Sequence, residues 1–126
     1  MKAINAMIES ADVALVYDGR FLDFPIGLQL AKGGYVVFGG ALLCRYHDDD
    51  CTENYAGKYI CKIFDIVGVK SASELVVGKP VRAIFEKDAG LGDRVIGIQN
   101  FIDYKKYFIT NERIAKKINE EELLQL

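Results

Sequence analysis

The 126-residue chain has no tryptophan, two prolines, one histidine and three cysteines, and its 16 basic and 18 acidic residues nearly cancel. Each scarcity excludes something. A formal charge of −2 gives no general pull toward DNA or RNA, which asks for a basic face, so any anionic ligand has to be met locally. Cys44, Cys51 and Cys61 are odd in number and irregularly spaced, which argues against a disulfide framework and suits free thiols in a reducing compartment. There is no run of eighteen apolar residues, and Met1-Lys2 leads straight into a mixed pattern rather than a signal-peptide core. A cytoplasmic protein with no membrane partner is expected.

The scarcity of histidine bears on catalysis. A Ser-His-Asp or Cys-His arrangement would have to use His47, which lies in His47-Asp48-Asp49-Asp50-Cys51. Consecutive residues cannot all face one ion, and the repeats of a zinc site are missing, so this segment reads as a solvated acidic loop. Asp18, Asp23, Glu74 and Asp103 are each accounted for by turns, caps or strand ends. Gly39-Gly40 has no third glycine at dinucleotide-fingerprint spacing, and Gly78-Lys79 lacks the remainder of a P-loop. The chain therefore reads as a non-enzyme, with no metal and no cofactor.

What is present is core-forming material, 51% hydrophobic, enough for a single α+β domain over residues 1–126. Ala3 to Glu9 reads as a strand that Val13 to Tyr17 extends or restarts, and Asp18-Gly19 as a hairpin turn into a returning strand from Phe21 to Leu30. Pro25 has no amide hydrogen for a ladder, which makes that strand an edge or bulges it. Gly33-Gly34 turns the chain into Tyr35-Val36-Val37-Phe38, completing an antiparallel meander. After a polar stretch from Leu42 to Glu53, the positions Tyr55, Ala56, Tyr59, Ile60, Ile63, Phe64 and Val67 recur at three- and four-residue spacing. They predict one long amphipathic helix that stops at Gly68 and covers one face of the sheet. Ser71-Ala72-Ser73-Glu74 has capping-box spacing and opens about a turn of helix. Val81 to Phe85 and Val95 to Ile102 predict a second hairpin across Glu86 to Arg94, and Thr110 or Asn111 opens a short C-terminal helix.

Four of the twelve glycines lie within eight residues, as Gly33-Gly34 and Gly39-Gly40 around a short apolar run. Glycine costs roughly 0.5–1 kcal/mol relative to alanine inside regular structure, so its use here is backbone geometry. Either a turn and a bulge flank the strand, or a ligand or partner lies against Phe38-Gly39-Gly40. A set of cations and rings gathers near strand ends: Lys79 and Arg82 around Pro80, Phe85, Arg94, and Asn100-Phe101 ahead of Tyr104 to Phe108. As plain structure these are solvated strand faces and core-closing aromatics; as a site they hold phosphate and stack a base.

Phe38-Gly39-Gly40, the helix ending in Gly68-Val69, Gly78-Lys79-Pro80-Val81-Arg82, and Ile96-Gly97-Ile98-Gln99-Asn100 before Asp103-Tyr104-Lys105-Lys106-Tyr107-Phe108 together resemble one group of small phage proteins. The resemblance, over roughly Ala3 to Phe108, is to the phage Thoeris anti-defence sponges of the first type described. It implies a protein that binds and hides a cyclic ADP-ribose signal, in some members also cyclic oligonucleotides, without cleaving it. It further implies homo-oligomers built from dimers, with the ligand recessed near the subunit interface. In such a site Arg82 or Arg94 and Lys79 would meet pyrophosphate, Phe38 or Phe85 would stack on adenine, Gly39-Gly40 would offer close backbone, and Asn100 would read a polar edge. The His47–Cys51 loop and the long Glu86–Arg94 turn depart from the family pattern and bear on pocket shape and ligand choice. The competing class is a phage-encoded interaction module that inhibits a host protein through a sheet edge or the Phe38 patch.

Overall fold

Alternation of Ile4, Ala6 and Ile8 with Asn5 and Met7 makes Lys2–Ala11 a strand with one apolar face, and this β1 is the centre of the fold. The computed structural model describes residues 1–16, 21–39, 44–45, 55–86, 94–110 and 124. Around β1 these form an α+β architecture. β4 (Ile26–Leu30) and then β5 (Tyr35–Phe38) pair on one side. On the other side lie β7 (Pro80–Phe85), β8 (Val95–Asn100) and β9 (Tyr107–Ile109), all antiparallel. A separate three-stranded sheet joins β2 (Ala14–Val16), β3 (Phe21–Asp23) and β6 (Cys44–Arg45) in the order β2-β3-β6.

The expected meander survives as β1-β4-β5, but the expected single strand from Phe21 to Leu30 is two strands in two sheets. The break falls at Phe24-Pro25. The Phe24 amide donates to Asp23 Oδ1 at 2.8 Å and Pro25 has no N–H, so two successive residues give nothing to a ladder. β6 and β9 replace what reads in the sequence as loop. The Asp18-Gly19 turn, the acidic loop, most of the Glu86–Arg94 turn and the C-terminal helix lie outside the described residues.

Helix α1 (Tyr55–Val67) buries Tyr59, Ile63 and Ile66 and exposes Lys58, Lys62 and Asp65. It ends as its sequence implies: Gly68 takes φ +83°, and the amides of Gly68 and Val69 both donate to the Phe64 carbonyl while Val69 is buried. Helix α2 (Ala72–Leu75) is one turn long, and the expected capping box does not form there. Ser71 makes no cap bond, its Oγ lying 3.1 Å from Ser73 Oγ, and Glu74 Oε2 accepts instead from the Lys70 amide at 3.1 Å.

The core lies between these helices and the concave side of the six-stranded sheet. Ala6 and Ile8 of β1, Ile26 and Leu28 of β4, Phe38 of β5, Val81 and Phe85 of β7, and Ile98 of β8 share one cluster with Tyr59, Ile63, Ile66 and Leu75 of the helices. The sheet curls enough that its two outermost strands meet: Phe38 of β5 and Phe108 of β9 stand edge to face with centroids 6.4 Å apart. Tyr59 of α1 closes the group, stacked on Phe38 at 6.2 Å and edge-on to Phe108 at 5.2 Å.

Two bulges decide what reaches the opposite face. Register shifts between Ile8 and Ser10, so Ser10 stands beside Gly27, where its Oγ meets Tyr35 Oη at 3.1 Å. A second shift between Ile84 and Phe85 sends Ile96 to join Ile84 and Ile109 in a small cluster of their own. That cluster is buried, whereas Met7, Tyr35 and Val37 remain exposed on β1 and β5.

Candidate functional site

Phe38 and Phe85, expected as stacking platforms, are core residues with at most 1% exposure, and neither ring is presented to a ligand. Gly39 has φ +95°, and a Cβ there would stand 2.9 Å from the Phe24 carbonyl oxygen and 3.2 Å from Tyr59 Oη. The close approach read from the glycine pair is thus satisfied at Gly39 inside the molecule, by the β3–β4 connection and α1. Gly40 lies outside the described residues.

Arg82 and Gln99 face each other across β7 and β8 on the side away from α1. Both are buried, at 6% and 0% exposure. Arg82 Nη1 donates to Gln99 Oε1 at 2.8 Å, Gln99 Nε2 donates to the Tyr104 carbonyl at 3.0 Å, and the guanidinium carbon sits 4.2 Å from the centre of the Tyr104 ring. This arrangement ties the segment after β8 down onto the sheet through a cation–π contact and two hydrogen bonds. Arg94 is exposed immediately before β8, at the opposite end of that strand, so the two arginines do not form one cationic site.

Asn100 is also engaged. Its Nδ2 donates to the Ile66 carbonyl at 2.7 Å, meeting one of the acceptors that the last turn of a helix leaves unbonded. Its Oδ1 accepts from the amides of Ile102 at 2.9 Å and Asp103 at 2.7 Å, which folds the turn that follows. Asn100 joins helix, strand and turn rather than reading a ligand edge. Lys79 is half-buried, and its carbonyl accepts the Ile8 amide at 2.9 Å.

A different group of residues forms a hollow. On the exposed part of the second face, Asn5, Met7, Gln29, Ala31, Pro80 and Phe101 border a hollow of about 430 Å³. Register explains the grouping: Met7 is opposite both Gln29 of β4 and Pro80 of β7, and Asn5 is opposite Arg82 while its carbonyl accepts the Ala31 amide at 2.8 Å. The Asn100 turn projects Phe101 and Ile102 beside it, the latter 88% exposed. Apart from Phe101, counted among the rings near strand ends, and Pro80, which Lys79 and Arg82 flank, the sequence did not single out these residues. Asn5 and Met7 did carry a signal, as the polar and large members of an alternating strand whose other face is core.

Among the described residues no cluster of His, Cys, Asp or Glu is placed to hold a metal ion, and no helix is long and apolar enough to cross a membrane. Compared with known family models, curated proteins and solved structures, the chain matches none.

Proposed function

We propose that this chain is a phage anti-defence protein that binds and sequesters a cyclic nucleotide immune signal, a cyclic ADP-ribose isomer or a cyclic oligonucleotide, in the host cytoplasm without cleaving it. The observation that supports the reading is the hollow on the second face. Its volume of about 430 Å³ lies within the roughly 300–1,000 Å³ of small-molecule sites, and its mostly apolar border with two carboxamides has the composition of such sites. The family resemblance supplies the ligand class. Exposure of Met7, Tyr35, Val37, Phe101 and Ile102 supports association into homo-oligomers built from dimers.

The test is mass spectrometry of small molecules released by heat from protein purified out of cells that express a TIR-domain signalling enzyme. Recovery of intact cyclic nucleotide is the expected result. Recovery of a cleaved product would make the protein an enzyme, and absence of any nucleotide would overturn sequestration. A second reading, an interaction module that inhibits a host protein, is favoured by the outermost strand β5, whose Tyr35 and Val37 side chains are exposed. It gains if the purified chain carries no nucleotide yet holds a host protein stoichiometrically.

A further inference from the structure

The hollow differs from the cation-lined pocket expected for a pyrophosphate. We infer that it takes a neutral, planar nitrogen heterocycle of nucleobase type and leaves any attached phosphate outside, an assignment that rests on the sequestration reading for the identity of the natural ligand. Three features of the border carry it. Asn5 and Gln29 both stand on the mostly apolar border, and each side chain ends in a carboxamide with donor and acceptor, the complement of a base edge that also mixes the two. The two lie on neighbouring strands, two residues out of register, a diagonal separation of about 7–8 Å that one bicyclic ring can bridge. Phe101 adds an aromatic ring to the border, while Met7 and Pro80 add apolar surface.

Charge points the same way. Among the described residues the hollow is bordered by no lysine, arginine, aspartate or glutamate. A phosphate drawn into it would give up water without gaining a cation, which is unfavourable, whereas a neutral ring loses little. The nearest arginine in register, Arg82 opposite Asn5, has its guanidinium held by Gln99 and lying on Tyr104.

The experiment uses the full chain labelled with nitrogen-15 and two fragments, adenosine and ribose 5-phosphate, followed through the side-chain amide signals of Asn5 and Gln29. Adenosine should shift both signals saturably and ribose 5-phosphate should leave them in place. Asn5→Leu and Gln29→Leu should each weaken adenosine binding about tenfold or more, with thermal unfolding of the variants unchanged. Stronger shifts with ribose 5-phosphate would overturn the assignment, as would adenosine shifts confined to other residues. Shifts that depend on protein concentration and not on adenosine would show that a second copy covers the hollow, and would equally overturn it. The two readings fail separately. If adenosine binds at Asn5 and Gln29 but cell-derived protein carries no cyclic nucleotide, the hollow stands and sequestration falls. If cell-derived protein carries the signal while both leucine variants retain it fully, sequestration stands and the hollow assignment falls.

Discussion

Replacing Asn100 with alanine separates a residue that holds the fold from one that reads a ligand. Its side chain makes three hydrogen bonds, to the Ile66 carbonyl at 2.7 Å, the Ile102 amide at 2.9 Å and the Asp103 amide at 2.7 Å. Each is worth a net of roughly 0.5–1.5 kcal/mol, and the two bonds in the exposed turn fall toward the lower end because water replaces them. The Ile66 carbonyl at the end of α1 is the partner most costly to abandon. Together these losses amount to about 2 kcal/mol, which for a domain of this size lowers the unfolding midpoint by roughly 6–10 °C. Urea and thermal unfolding followed by circular dichroism measure it. A stability loss under about 0.5 kcal/mol for the alanine variant, combined with loss of nucleotide binding, would refute the structural role and return Asn100 to the site.

Two further substitutions test the same division. Arg82→Ala should destabilise by about 2–4 kcal/mol, because it removes a buried hydrogen bond to Gln99 Oε1 and the guanidinium lying on Tyr104, whereas exposed Arg94→Ala should leave the unfolding midpoint unchanged. Equal and negligible effects in denaturant titrations would contradict the packing assigned to Arg82. Gly39→Ala should cost about 1–3 kcal/mol, since φ +95° is strained for alanine and the new methyl would crowd the Phe24 carbonyl oxygen. A variant that melts with the parent and loses only binding would mean that the glycine serves a ligand.

Much of the architecture is legible in the residues alone, and the reasons differ by element. Helix α1 is readable because its apolar positions recur at helical spacing over 13 residues and Gly68 marks its end, two local signals that agree. The β7–β8 and β4–β5 pairs are readable because apolar runs are separated by glycine-containing segments, whereas β1 reaches β4 only through β2 and β3 of the other sheet. β9 is not: Tyr107–Ile109 is three residues long and follows two lysines, and it becomes a strand because β8 has a free edge beside it. That is a tertiary cause with no local signature.

The candidate site was harder to read for a related physical reason. Aromatics and cations near strand ends look alike whether they face a ligand or a core, and facing is set by register, which two bulges invert. One-residue insertions, at Glu9 of β1 and Ile96 of β8, put Ser10 and Ile96 on the face their spacing denies them. Phe38 and Phe85, readable as platforms, are committed to the helix side by plain alternation along β5 and β7, and Arg82 to the opposite side. Asn5 and Gln29 come together only because β4 pairs with β1 in a register that places Gln29 beside Met7. A binding surface assembled across strands in this way belongs to no contiguous motif. Its residues become visible once pairing is known, and the amides of Asn5 and Gln29 are where a ligand should first be sought.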